Sequence, residues 1–175
     1  IARDAKVPRS TVDVYFSILE DTLVGHFLPA YQPGAKVRET AHPKFFWFDS
    51  GVARGAANLL YDPADDLWLG RSLETLIYHE LRVYNEISSK HRKIAYYQTG
   101  AGAEIDFIIE KQGKIITVEV KYSSVPVIGK SLYSFFAKYK PDKAYVITKD
   151  LEKEIKIEGV RVIFIPAYRF FLEIC

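Results

Sequence analysis

Asp106, Glu119 and Lys121 are the residues of this 175-residue chain whose types and spacing point most directly to chemistry. They fall within residues 103–122, AEIDFIIEKQGKIITVEVKY, which reads as two short strands rich in Ile and Val joined across Lys111-Gln112-Gly113-Lys114. Period-two alternation puts Ile116, Val118 and Val120 on one face of the second arm and Thr117, Glu119 and Lys121 on the other. With Gln112-Gly113 as a two-residue turn, Lys111 pairs with Lys114, and counting outward sets Asp106 opposite Glu119. Directly opposed side chains have Cβ atoms about 4.5–5.5 Å apart, and like charges there destabilise the sheet. A divalent cation resolves the conflict, because Mg²⁺ (or Mn²⁺) binds through one or two carboxylates and keeps several waters. Asp106 and Glu119 are therefore the expected metal ligands, and Lys121 is expected to hold a phosphate oxygen or position an attacking water. The alternative is a solvated strand face on which Lys121 and Lys114 neutralise the acids.

A helix must bring a third acid to that pair. Residues 71–87 form the longest helical pattern. At about 100° per residue, Leu73, Leu76, Ile77, Leu81 and Tyr84 share a stripe, with Glu80 near its middle and Glu74 at its edge. An unpaired carboxylate on an apolar face is costly, so Glu80 is expected to meet a cation, line a site, or reach water along its stem. His79 falls on the opposite face and reads as surface. After the helix, Lys90, Arg92 and Lys93 make the densest basic cluster. They are candidate nucleic-acid contacts, or cations that complement the helix C-terminus.

The remaining elements frame these groups. Residues 94–98, 144–148 and 161–166 read as strands, residues 132–139 as a helix closed by Pro141, and residues 168–174 end the chain. Residues 124–131, SVPVIGKS, imitate a phosphate-binding loop but lack its first glycine, and Pro126 removes a backbone N–H that would cradle phosphate. In the N-terminal stretch, a helix end, a turn at Val7-Pro8-Arg9 and a second helix opened by Ser10 with Asp13 suggest a helix-turn-helix. Strands over residues 23–31 and 44–48, joined through Gln32-Pro33-Gly34 and a polar stretch to His42, would complete a winged helix. That second helix, read from Ser10, carries no Lys or Arg, which weighs against DNA reading by its N-terminal turn. Residues 49–70 read as a hinge, with Asp65 and Asp66 in a solvated loop. The expected organisation is thus 1–48, 49–70 and 71–175.

Composition bounds the rest. Apolar residues at 49% and aromatics at 14% supply a core, and a net charge of +2 gives no general pull toward nucleic acid, so any such contact must be local. The single Cys175 excludes an internal disulfide framework and fits a reducing compartment, here expected to be the cytoplasm. No apolar run approaches the roughly 18 residues of a membrane span. A chain that opens at Ile1 in mid-pattern and contains no Met is expected to be a fragment lacking an N-terminal part.

The triplet Asp106, Glu119 and Lys121 resembles the PD-(D/E)XK nuclease superfamily, with Ile105 where that motif often has Pro. This resemblance implies an α/β fold with a mixed sheet flanked by helices, and Mg²⁺-dependent cleavage of nucleic-acid phosphodiesters. A resemblance over nearly the whole chain is carried by STVDVYFSILEDTLVGHFLP, PKFFWFDSGVARG, LGRSLETLIYHEL, YYQTGAGAEIDFIIE and ITVEVKYS. These stretches look like the C-terminal region of bacterial and archaeal AAA+ ATPases, in which a winged helix and a PD-(D/E)XK-like domain follow the ATPase module. It implies an upstream ATPase module that binds ATP, DNA foremost among nucleic-acid partners, and room for an oligomer. Gly70-x-x-x-Glu74 matches the superfamily's helical acid pattern whereas the apolar stripe favours Glu80, and Gln98 stands where the family often has Arg. An opposing reading is a non-catalytic module that binds DNA or protein and regulates the ATPase.

Overall fold

A computed structural model describes residues 1–33 and 42–174. The expected turn beyond Pro33, and Cys175, lie outside the described residues. The chain opens with α1 (Ala2–Ala5) and α2 (Arg9–Asp21), followed by β1 (Gly25–Leu28) and β2 (Lys44–Trp47), which pair antiparallel. α2 begins at Arg9 with Pro8 at its N-cap, and the Ser10 cap read from sequence does not form. Proline's fixed φ and missing N–H suit that position, so the helix starts there without a side-chain acceptor. Arg9 consequently belongs to the helix, where it faces Asp13 at 4.0 Å.

α3 (Ser50–Ala56) is capped by Asp49, whose carboxylate accepts from the Val52 N–H at 2.9 Å. α4 (Asp66–Ile87) starts at Asp66, not at Arg71. Asp65 is its N-cap, accepting from the Trp68 N–H at 2.7 Å, so the adjacent acids read as a loop are a helix start. The connecting segment expected over residues 49–70, read to hold a short helix over residues 52–60, carries α3 somewhat earlier and also the first turn of α4.

Beyond α4 run β3 (Lys93–Gln98), β4 (Glu104–Lys111), β5 (Lys114–Val120), α5 (Lys130–Tyr139), β6 (Lys143–Thr148), β7 (Lys153–Ile157), β8 (Val160–Pro166) and α6 (Ala167–Ile174). The strands form one mixed sheet in the order β3-β4-β5-β6-β8-β7, with β5, β6 and β8 parallel and the rest antiparallel. This is the expected mixed α/β arrangement, a six-stranded sheet flanked by helices, with a small N-terminal part of helices and a hairpin.

Alternation along the strands divides the core into two layers. Ile77, Tyr78 and Leu81 of α4 pack on Phe107, Ile109 and Val118, while Leu132, Phe135 and Phe136 of α5 pack on Ile108, Val146 and Val162. The N-terminal hairpin shares the first layer. Leu28 and Phe46 are buried within it, the Phe46 ring lies tilted against Tyr78 at 4.6 Å, and Tyr78 lies parallel to Phe107 at 6.0 Å. Past β1 the backbone also bonds to β3, with Tyr96 donating to the Pro29 carbonyl at 2.9 Å. The hairpin and the large sheet are thus parts of one continuous core.

Candidate active site

The hairpin β4–β5 folds as its sequence dictates. Gln112 and Gly113 both take positive φ, 51° and 79°, the conformation of a two-residue type I′ turn, and Lys111 pairs with Lys114. The register runs to Phe107 opposite Val118, and Asp106 and Glu119 are the next residues outward on the two strands.

At that position β4 is irregular. Between the pairs Ala95–Ile108 and Tyr97–Ile105, β3 advances two residues while β4 advances three, which is a bulge at Asp106-Phe107. The bulge explains why Ile105 packs with the α5 layer although Phe107 packs with the α4 layer. It also swings Asp106 out of the ladder. Its carboxylate accepts the Val120 N–H at 2.7 Å, doing the work of a strand carbonyl.

Glu119 is 8% exposed. Its Oε1 meets Lys121 Nζ at 2.6 Å, and its Oε2 is buried with no hydrogen-bond partner among the described residues. Burial and then the neighbouring Asp106 push its pKa up to about 7, against the pull of Lys121. Asp106 is raised as well, chiefly by burial, with the Val120 N–H and Lys121 opposing. Two coupled acids of this kind hold either a shared proton or a cation.

Glu74 joins them from α4. Its pKa is raised first by burial and next by Asp106, and it lines the same cleft, of about 390 Å³, as Glu104, Asp106 and Lys121. Glu80 is not among the residues that line this cleft. The reason is the helix phase. Glu74, Ile77, Tyr78 and Leu81 follow the i, i+3, i+4, i+7 spacing of the buried face, whereas Leu76, counted on the stripe from sequence, is 45% exposed. Tyr78 carries that face inward, and a tyrosine adds little to an apolar count.

Two members of the site were not anticipated. Lys44, at the start of β2, places Nζ 3.4 Å from Glu74 Oε1 and forms an ion pair with Glu104 as well. Burial works to lower the Lys44 pKa, but the hydrogen bond to Glu104 and the charge of Glu74 outweigh it and the net shift is upward. Glu104 stands two residues before Asp106 on β4, a spacing visible in the sequence. Lys44 carried no such signal, since only packing of the N-terminal hairpin brings it to the cleft.

The basic cluster does not reach this cleft. Lys90 and Arg92 lie over the ring of Tyr84, at 4.5 and 5.8 Å, and the Arg92 backbone exchanges hydrogen bonds with the Asn85 side chain. Lys93 is the first residue of β3, facing Glu110 in the register. From Glu74 to the end of α4 the helix rises on the order of 20 Å, which separates these cations from the acids. Gln98 ends β3 opposite Glu104.

The residues fit a divalent ion in part. Asp106 and Glu119 supply two carboxylates, and Glu119 Oε2 is a buried acceptor with no hydrogen-bond partner among the described residues. Among the described residues, no group of three or more His, Cys, Asp or Glu side chains is arranged to hold a metal ion. A two-carboxylate site completed by water and substrate oxygens is the arrangement these side chains allow.

Fold and site together define a mixed α/β domain with a coupled acid pair and a lysine at the end of a β-hairpin. Residues 69–168, more than half of the chain, match the family model described as Domain of unknown function (DUF4143), and the chain belongs to that family. Residues 1–63 match a second model, Domain of unknown function (DUF8612). No curated protein matches the chain. No helix among the described residues is long and apolar enough to cross a membrane.

Proposed function

We propose that the cleft hydrolyses nucleic-acid phosphodiesters with Mg²⁺ or Mn²⁺, in a nuclease-like domain attached to an AAA+-type ATPase in the cytoplasm. The observation that carries this reading is the coupled Asp106–Glu119 pair, with one buried oxygen of Glu119 unsatisfied and Lys121 at 2.6 Å from the other. Asp106 and Glu119 would hold the divalent ion, which would polarise a phosphoryl oxygen and lower the pKa of a water molecule. The Val120 N–H fixes the Asp106 carboxylate. Lys121 sets its ammonium against the charge that develops on the phosphoryl oxygens. Glu74, beside Asp106, adds negative charge that favours a cation in the cleft. The test is incubation of the purified chain with plasmid and with single-stranded DNA in Mg²⁺ or Mn²⁺, beside Asp106→Ala and Lys121→Ala. Cleavage by the native chain and its loss in both variants is the expected result; no cleavage by any, or equal cleavage by all, rejects it.

A second reading is a non-catalytic module that binds DNA or protein and regulates the ATPase. The Lys44 bridge favours it, because an internal cation already sits between Glu74 and Glu104 and offsets part of the charge that would draw in a metal ion. Calorimetric titration with Mn²⁺ separates the two, since a regulatory scaffold takes up no ion at Asp106 and Glu119.

A further inference from the structure

Both tryptophans of the chain, Trp47 and Trp68, line one cavity. It measures about 680 Å³ and lies between β2, α3 and α4, with Phe45 and Ala53 adding apolar wall and Ser50 and Thr75 adding hydroxyls. That volume is within the roughly 300–1,000 Å³ of ordinary ligand sites, which form preferentially between structural units. Trp68 is braced by the Arg54 guanidinium, 5.4 Å from its ring.

The cavity opens onto the acid cleft, for Arg71 and Glu74 line both. Arg71 is exposed, and its guanidinium forms no hydrogen bond or ion pair with another described residue. The order across the surface is therefore aromatic cavity, uncompensated guanidinium, carboxylate cleft. A nucleotide has the complementary order, with a flat base beside an anionic phosphate, and aromatic rings with adjacent cations are how single strands are held without reading sequence.

We propose that the Trp47–Trp68 cavity seats one unpaired base of the strand, with Arg71 holding a phosphate at the passage into the cleft. The assignment rests on the phosphodiester reading and names its substrate class as single-stranded nucleic acid. A base paired within a duplex cannot enter the cavity without leaving its stack, which costs a few kcal/mol by general estimate. The hydroxyls of Ser50 and Thr75 can meet base edges without selecting among them, so little sequence preference is expected.

Binding is read on the intact chain in EDTA, where cleavage cannot occur, by anisotropy of a labelled oligothymidylate and by tryptophan emission. The single strand is expected to bind at least about tenfold more tightly than a blunt duplex of the same length, and to quench the emission. Arg71→Ala and Ala56→Phe, the latter projecting bulk into the cavity from an exposed helix position, are each expected to weaken binding by about tenfold, the size of one lost stacked base. Trp68→Leu should do the same, and Ala56→Phe keeps the test intact where loss of the half-buried Trp68 ring unfolds the chain. Equal affinity for single strand and duplex, native affinity in both Arg71→Ala and Ala56→Phe, or full quenching by inorganic phosphate alone overturns the assignment. Binding of this pattern without cleavage in Mn²⁺ rejects hydrolysis and leaves the cavity assignment standing, whereas cleavage with both variants binding normally rejects the cavity assignment alone.

Discussion

Lys44 Nζ lies 3.4 Å from Glu74 Oε1, so a strand of the N-terminal hairpin and the long helix α4 are tied together at the wall of the acid cleft. The two side chains are 26% and 23% exposed, and Lys44 also pairs with the more exposed Glu104, which makes the contact a three-member, partly buried network. Removing the lysine leaves two acids facing each other beside Asp106 with no cation between them.

Lys44→Met is expected to destabilise the chain by about 1–3 kcal/mol, the cost of stranding a partly buried charge. Adding Glu74→Gln should recover part of that loss, because the stranded charge goes with it. Urea denaturation of the two single variants and the double variant closes the cycle. Additive effects would show that the pair does not interact.

Stability should depend on pH through Glu119. Its folded pKa of about 7 stands above the ordinary 4.5, so between those values the folded state binds a proton that the unfolded chain does not. The contribution is complete below 4.5 and is lost as pH rises through 7, at most about 3 kcal/mol for this group. Melting temperature followed from pH 4.5 to 8 should fall, and Glu119→Gln should flatten the decline. A divalent ion competes with that proton, so added Mn²⁺ should stabilise most at the alkaline end.

Asp106→Asn separates stability from ion binding. Asparagine keeps an oxygen for the Val120 N–H while removing one of two coupled charges. The variant is expected to match or exceed the native chain in thermal stability at pH 8 and to lose Mn²⁺ uptake by calorimetry. A marked fall in stability would mean that the negative charge at 106 is needed by the fold itself.

Gly25→Ala should loosen the hairpin that carries Lys44. A Cβ there would stand 2.2 Å from the Phe45 ring and 2.7 Å from the Phe46 carbonyl oxygen, and the second contact is with backbone that cannot swing away. Overpacking of this kind costs about 1–3 kcal/mol. The accompanying shift of β2 should make a later Lys44→Met change nearly silent, which the same urea experiment detects.

Local residue chemistry alone specifies the β4–β5 hairpin. Gln112-Gly113 accepts the two positive φ angles of a type I′ turn, and apolar alternation on either side leaves one register, which runs to Phe107 opposite Val118 and leaves Asp106 and Glu119 just beyond it. The helix–strand order from α4 to β6, and β8 after it, was equally readable because those segments repeat with periods that differ between helix and strand, whereas the polar strand β7 and the closing helix α6 carried no such signal. Tertiary structure decided the rest. The bulge at Asp106-Phe107 arises where β3 and β4 advance unequally, a property of two strands that neither sequence carries alone. Glu74 outranks Glu80 because Tyr78 turns inward against Phe46 and Phe107, rotating the buried face of α4 away from its purely apolar stripe. Lys44 reaches the cleft through packing of Leu28 and Phe46 into the core beneath α4, a contact between segments far apart in the chain whose specificity lies in shape.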